Sequence, residues 1–213
     1  MSGVGSAVGS APLVGSGRLD HVVITGPDLA ELVAWFAERT GVTAVPGGTH
    51  PRGTANALVA LTVGGVRGRR YLELIAPWPG AAAPRVHTYA VRPPDLDACV
   101  ALARGRGHDP GEPADLSRRT PDGTVLRWRL ARTDRRPDVP FLIDWGDTPH
   151  PGLADLPAVE LLQWQRIEPD PGPTRAAITA LGLDPAEVAE LITGGPPRYR
   201  LVVAGPDGTP REL

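Results

Sequence analysis

Glu73 stands in the run YLELI, between Leu72 and Leu74, with Ile75 beyond. A carboxylate in a strand otherwise built for burial must be paired, protonated or bound to a cation. His21, in LDHVVI, sits in an equally apolar run, and imidazole is a common ligand for zinc, nickel or iron. The two residues can hold a metal, or they can form a buried His–Glu hydrogen bond without one. A third chemical stretch is GGTHPRGTANALVAL, residues 47 to 61, which loads a loop with His50, Arg52, Thr54 and Asn56 before running into a strand. His50 and Asn56 offer hydrogen bonds to a ligand, and Gly53 lets backbone approach one closely. The alternative is local: Thr54 and Asn56 can satisfy the loop's own backbone groups.

All 22 basic residues are arginine, so an arginine alone is weak evidence of function. Arg92 ends a strand-like run, and Arg118 and Arg119 precede the turn Pro121-Asp122-Gly123. Arg127 and Arg129 alternate with Leu126, Trp128 and Leu130, so arginines take one sheet face and Leu and Trp the other. If Trp128 faces inward, Arg127 and Arg129 form a solvated face. The net charge of −2 gives no reason to expect nucleic acid or a membrane surface as partner. No apolar run approaches the roughly 20 residues of a membrane span. Cys99 is the only cysteine, which excludes an intrachain disulfide and points to the cytoplasm. Residues 1–17, rich in Gly, Ser, Ala and Val, read as a flexible tail.

The elements that position these residues repeat. HVVITGPDLAELVAWFAERTG from His21 and HTYAVRPPDLDACVALARGRG from His87 each read as a strand, a Pro-Asp-Leu and an amphipathic helix closing on glycine. Asp28 and Asp95 suit N-caps, and Gly41 and Gly107 suit the left-handed position beyond a helix. About three strands follow each helix, the Pro-Asp-Gly turn marking a hairpin in the second unit. A weaker third copy follows, with fewer strands: VELLQWQRI, a helix after Asp170, and a hairpin at a second Pro-Asp-Gly. The expected division is 18–84, 85–152 and a partial third βα-hairpin module over 153–213, packed on the same domain.

LDHVVI, GGTHPRGTANALVAL, YLELIAP, SRRTPDGTVLRWRL and VPFLIDWGDTPHPG together resemble the glyoxalase-like domain family of the vicinal oxygen chelate superfamily. The resemblance implies an α+β fold in which paired βαβββ modules form a curled mixed β-sheet cup. It implies a divalent metal (Zn, Ni, Mn or Fe) held by His21 and Glu73, with Asp144, His87 and His150 as further ligands. His87 follows His21 by 66 residues while the caps Asp28 and Asp95 are 67 apart. One slip decides whether His87 or Thr88 points into the cup. The resemblance further implies a lyase or isomerase acting on a small anionic carbonyl or vicinal-oxygen substrate. Glu73 or His50 would move the proton, Arg92 and Arg119 would hold the acid group, and Asn56 would line the cup mouth. Trp128 and Trp145 would form aromatic walls or core. The superfamily also contains non-catalytic drug or metabolite binders, and its members often dimerise.

Overall fold

Asp28 accepts the backbone N–H of Glu31, and Asp95 that of Ala98, so each helix starts where a carboxylate meets the free donors of its first turn. The helices are α1 (Leu29–Thr40) and α2 (Leu96–Gly105). Gly41 closes α1 at φ 69°, returning its N–H to the Ala37 carbonyl, and Gly107 follows α2 at φ 80°. The computed structural model describes residues 18–51, 53–133, 136 and 138–213; the tail 1–17 and Arg52 lie outside them.

Before and after α1 run β1 (Leu19–Thr25), β2 (Val45–Thr49), β3 (Ala55–Val63) and β4 (Val66–Ala76). Around α2 lie β5 (Arg85–Val91), β6 (Ala114–Arg119), β7 (Val125–Ala131) and β8 (Phe141–Asp144). Residues 158–212 form β9 (Ala158–Glu168), α3 (Gly172–Ala180), β10 (Glu190–Thr193), β11 (Arg198–Ala204) and β12 (Pro210–Glu212). The third segment therefore carries three strands after its helix, more than its sequence suggests. It is wired differently. β10 lies parallel beside β9, whereas in the first two units the first and last strands are the parallel neighbours.

The first eight strands close into a ring in the order β4-β1-β5-β8-β7-β6-β2-β3, with β3 returning to β4. The architecture is α+β, a mixed sheet curled into a cup. Closure is thin between β2 and β6, where Thr49 opposite Arg119 is the one register pair. Gly48 makes that contact possible: a Cβ on it would lie 2.1 Å from the Arg119 carbonyl oxygen. From β3, β9 continues the sheet outward through Ala60↔Ala158 to Thr62↔Glu160.

Strand alternation sorts the side chains into two cores. Val23, Leu58, Tyr71, Ala90, Phe141 and Ile143 fill the inside of the ring. Val22, Ile24, Leu72, Leu74 and Tyr89 face outward, where Phe36 of α1 and Val100 of α2 cover them. That outer core continues into Trp164, Ile178 and Leu201 of the third segment. No helix among the described residues is long and apolar enough to cross a membrane.

Candidate functional site

Asp20 has no solvent exposure and sits on the inner wall of the ring. It accepts from His21 Nδ1 at 2.7 Å, His150 Nε2 at 2.9 Å and Trp145 Nε1 at 3.2 Å, with Arg92 Nη1 at 3.5 Å. The β1–β5 register shifts between Leu19 and His21, and both Asp20 and His21 reach side chains inside the ring. Burial by itself would raise the Asp20 pKa. The hydrogen bonds and charges of His150 and His21 outweigh it and hold the carboxyl well below the usual carboxylate range. An ionised Asp20 therefore fixes a proton on His21 Nδ1. The other nitrogen, Nε2, faces Glu73 Oε2 at 3.6 Å, while Tyr71 stacks on the ring at 4.6 Å.

Glu73 projects from β4 between β1 and β3, opposite Val23 and Leu58. Its Oε1 accepts from Asn56 Nδ2 and lies 3.9 Å from His50 Nε2. Asn56 Oδ1 in turn accepts from Arg118 Nη1 at 2.8 Å. The polarity of this chain is unambiguous, because a guanidinium only donates and a carboxylate only accepts. His50 Nδ1 contacts Thr54 Oγ1 at 3.0 Å, and Thr54 thus steadies the ring. Burial pushes the His50 pKa down, Glu73 opposing it and Arg118 adding to it. His50 is accordingly neutral at neutral pH. Gly53 is a turn residue at φ 89°, its N–H bonded to the His50 carbonyl, with open space where a side chain would be. Its role is the turn itself rather than a close approach to a ligand.

A cavity of about 1120 Å³ opens beside this cluster. Its wall includes Leu58, Arg92, Arg118, Trp145 and His150, each paired with or bonded to a residue named above. Trp128 and Trp145 lie 5.4 Å apart inside the ring; Trp145 is both core and cavity wall, while Trp128 packs against the core behind it. Arg127 is exposed and Arg129 grips Asp97 of α2 with two hydrogen bonds, which leaves Trp128 facing inward.

Arg119, expected to hold an acid group, points outward and donates to the Gly123 carbonyl in the hairpin turn. Its neighbour Arg118 is the inward residue, because strand parity reverses the face at each step. Arg92 is placed at the cavity as expected, although Asp20 already neutralises it and the Arg69 carbonyl already accepts from it.

The five expected metal ligands do not come together. His150 receives the Gly152 N–H on Nδ1 and donates Nε2–H to Asp20, so neither nitrogen is left to bind a cation. His87 falls in a register shift: Thr88 pairs with Val23 and Val86 with Ile24, while the His87 ring packs 4.8 Å from Trp78. It lines a separate cavity of about 200 Å³, together with His108. Asp144 accepts the Gly146 N–H at the end of β8, and the inward residue there is Ile143. Among the described residues no group of three or more His, Cys, Asp and Glu is arranged to hold a metal ion. His21 and Glu73 alone fall short of the three protein ligands a catalytic zinc requires. The donor set does not fit the expected metal centre.

Three contributors escape a sequence reading: Asp20, Arg118 and Gly47. For Asp20 the signal was present, a charge between Leu19 and His21 in an apolar run, the same reasoning that singled out Glu73. For Gly47 there was none, since the need for it arises from a strand far away in sequence.

The glyoxalase-like domain model matches residues 19–182. A comparison with curated protein sequences finds no match. Among solved structures, a hypothetical protein from Staphylococcus aureus aligns at TM-score 0.58 and 12% identity, over 91% of this chain and 84% of that one. Methylmalonyl-CoA epimerase from Mycobacterium tuberculosis aligns at TM-score 0.38 and 21% identity, over 62% and 87%. A methylmalonyl-CoA epimerase in complex with methylmalonyl-CoA and NH4+ aligns at 0.42 and 21%, over 64% and 99%. The match over most of the chain, with the closed cup and its inner polar cluster, leads to one assignment: this chain belongs to the glyoxalase-like domain family.

Proposed function

We propose that this protein is a glyoxalase-like isomerase or lyase that moves a proton next to the carbonyl of a small anionic substrate. One observation carries the reading. Glu73 and His21, two groups able to carry a proton, face each other at 3.6 Å within the ring, one layer behind Leu58, Arg118 and His150, which line a large cavity. Each is oriented from behind, Glu73 by Asn56 and His21 by Asp20. Such positioning gives a general base its effect, roughly 10²–10⁴-fold in rate.

In the proposed step, the Glu73 carboxylate takes the proton from the carbon beside the carbonyl. The C–H electron pair forms a C=C bond while the carbonyl π pair moves onto its oxygen, giving an enolate. The proton then returns to the other face of the same carbon or, where that carbon bears a hydroxyl whose own proton passes to the former carbonyl oxygen, to the former carbonyl carbon. His21 shares the proton with Glu73 between the two events, and the anionic Asp20 stabilises the imidazolium that forms. Neutral His50 borders Glu73, its basicity lowered by burial. Trp145 in the wall, with Trp128 packed behind it, keeps the surroundings apolar, which strengthens these charge interactions.

The test is hydrogen–deuterium exchange of small carbonyl acids in heavy water, followed by NMR. Exchange at the carbon beside the carbonyl is expected, and Glu73→Gln is expected to lose about 10²-fold or more of it. Acids that bind without any exchange would overturn the catalytic reading. That outcome would leave the second one, a protein that sequesters a small metabolite in the same cavity. The incomplete ligand set favours this alternative, since a binder needs walls and charge but no metal.

A further inference from the structure

Arg118 is held in an unusual state. The residue is 4% exposed, its Nη1 donates to Asn56, and its Nε is buried without a partner. No ion pair neutralises it among the described residues. A buried charge with donors left over is costly unless something completes it. The other arginines at the site lack this character: Arg92 lies against Asp20 and Arg119 against a turn carbonyl. Arg118 lines the large cavity. Three carboxylates share that wall, and none compensates it: Asp122 takes bonds from Thr120 and Thr124, Asp144 takes the Gly146 N–H, and Asp147 is exposed.

The packing around Arg118 is built for closeness. A Cβ on Gly47 would lie 2.5 Å from Arg118 Nη1, 2.5 Å from Asn56 Oδ1 and 2.8 Å from Leu58. The bare backbone at this position lets the guanidinium and the amide meet. Through Asn56, Arg118 is two hydrogen bonds from Glu73.

We propose that Arg118 receives the acid group of the substrate, and that this acid group belongs to the reacting end of the molecule. Resting on the proton-transfer reading above, the substrate class is a carbonyl acid whose carboxylate stands one or two carbons from the carbon that loses its proton. A remote acidic tail would place its charge at the far side of the cavity, toward Arg18, Arg69 and Arg92, on the opposite arc of the ring from β6.

Calorimetric titration with pyruvate and with neutral pyruvamide tests this. Pyruvate is expected to bind and pyruvamide not to. Arg118→Gln should weaken pyruvate about tenfold or more, as charge-assisted hydrogen bonds are lost, while Arg119→Gln leaves it unchanged. Arg118 is buried, so a second measurement uses the wild-type protein: on adding pyruvate, the Arg118 Nε–H resonance should shift. Unaltered affinity in a folded Arg118→Gln variant, no movement of that resonance, or no pyruvate binding would overturn the proposal. Neither readout needs turnover. Binding at Arg118 without exchange in any acid would sink the catalytic reading, and with it the reacting-end assignment, and leave Arg118 as the acid-binding residue of a non-catalytic site.

Discussion

Asp20 decides more at this site than its single side chain suggests. It sets the tautomer of His21, consumes His150 and anchors both Trp145 and Arg92. Because its folded pKa is depressed, its stabilisation is fully present above the unfolded value of about 3.9 and is lost as pH falls through the folded one. We expect Asp20→Asn to cost about 3 kcal/mol at neutral pH, the scale of breaking a buried charge network. Urea denaturation at several pH values checks this, and the gap between variant and wild type should narrow below about pH 4. A gap independent of pH would mean that shape rather than charge is what Asp20 supplies. Cys99 marks the contrast. It is buried against the Leu181 carbonyl, and burial pushes its thiol up to about 11, so slow reaction with alkylating reagents is expected and can be followed by mass spectrometry.

At the scale of elements, β2 and β6 hold the weakest seam of the ring, and two consecutive glycines act there in different ways. Gly48 adopts φ 144° and has the Arg119 carbonyl against its missing side chain. Gly48→Ala should open the seam and cost about 1–3 kcal/mol, because strain and a backbone clash coincide. A thermal melt reads that loss. Gly47→Ala meets side-chain atoms, which can shift, so its main effect is expected on pyruvate affinity through Arg118 rather than on the melt. Equal effects of the two substitutions on both measurements would refute this division. The Gly-Gly pair is visible in the sequence, but the strand that approaches it lies about 70 residues away, so nothing local announces which atoms need the space.

For the whole molecule, the third segment is part of one outer core rather than an appendage. Leu161, Trp164, Ile178 and Leu201 are buried in the same cluster as Phe36 and Tyr89. Trp164 packs 5.1 Å from the Tyr89 ring, and Gly205 lets β11 end against the Thr40 carbonyl, which a Cβ would meet at 1.8 Å. Removing residues 158–213 would expose the outer faces of β3 and β5, so the shortened chain should aggregate or lose cooperative unfolding. Scanning calorimetry of the full chain should show one transition. Two separated transitions would contradict a shared core.

Periodicity, caps and turn residues were enough to read the repeated units, both N-capping aspartates and the hairpin at Gly123, because each depends on contacts within a few residues, whereas the α+β cup was implied by the family resemblance. The chemistry of Glu73 was legible for the same reason: a carboxylate among leucines is a local contradiction. Tertiary structure alone decided which neighbour faces inward. It chose Arg118 over Arg119 and Thr88 over His87, since a strand reverses its face at every residue and one bulge shifts the pattern. It also showed that His150 is committed to Asp20, a partner 130 residues earlier in the chain. Local sequence carries the reasons for elements; the closing of the ring determines which of their side chains meet.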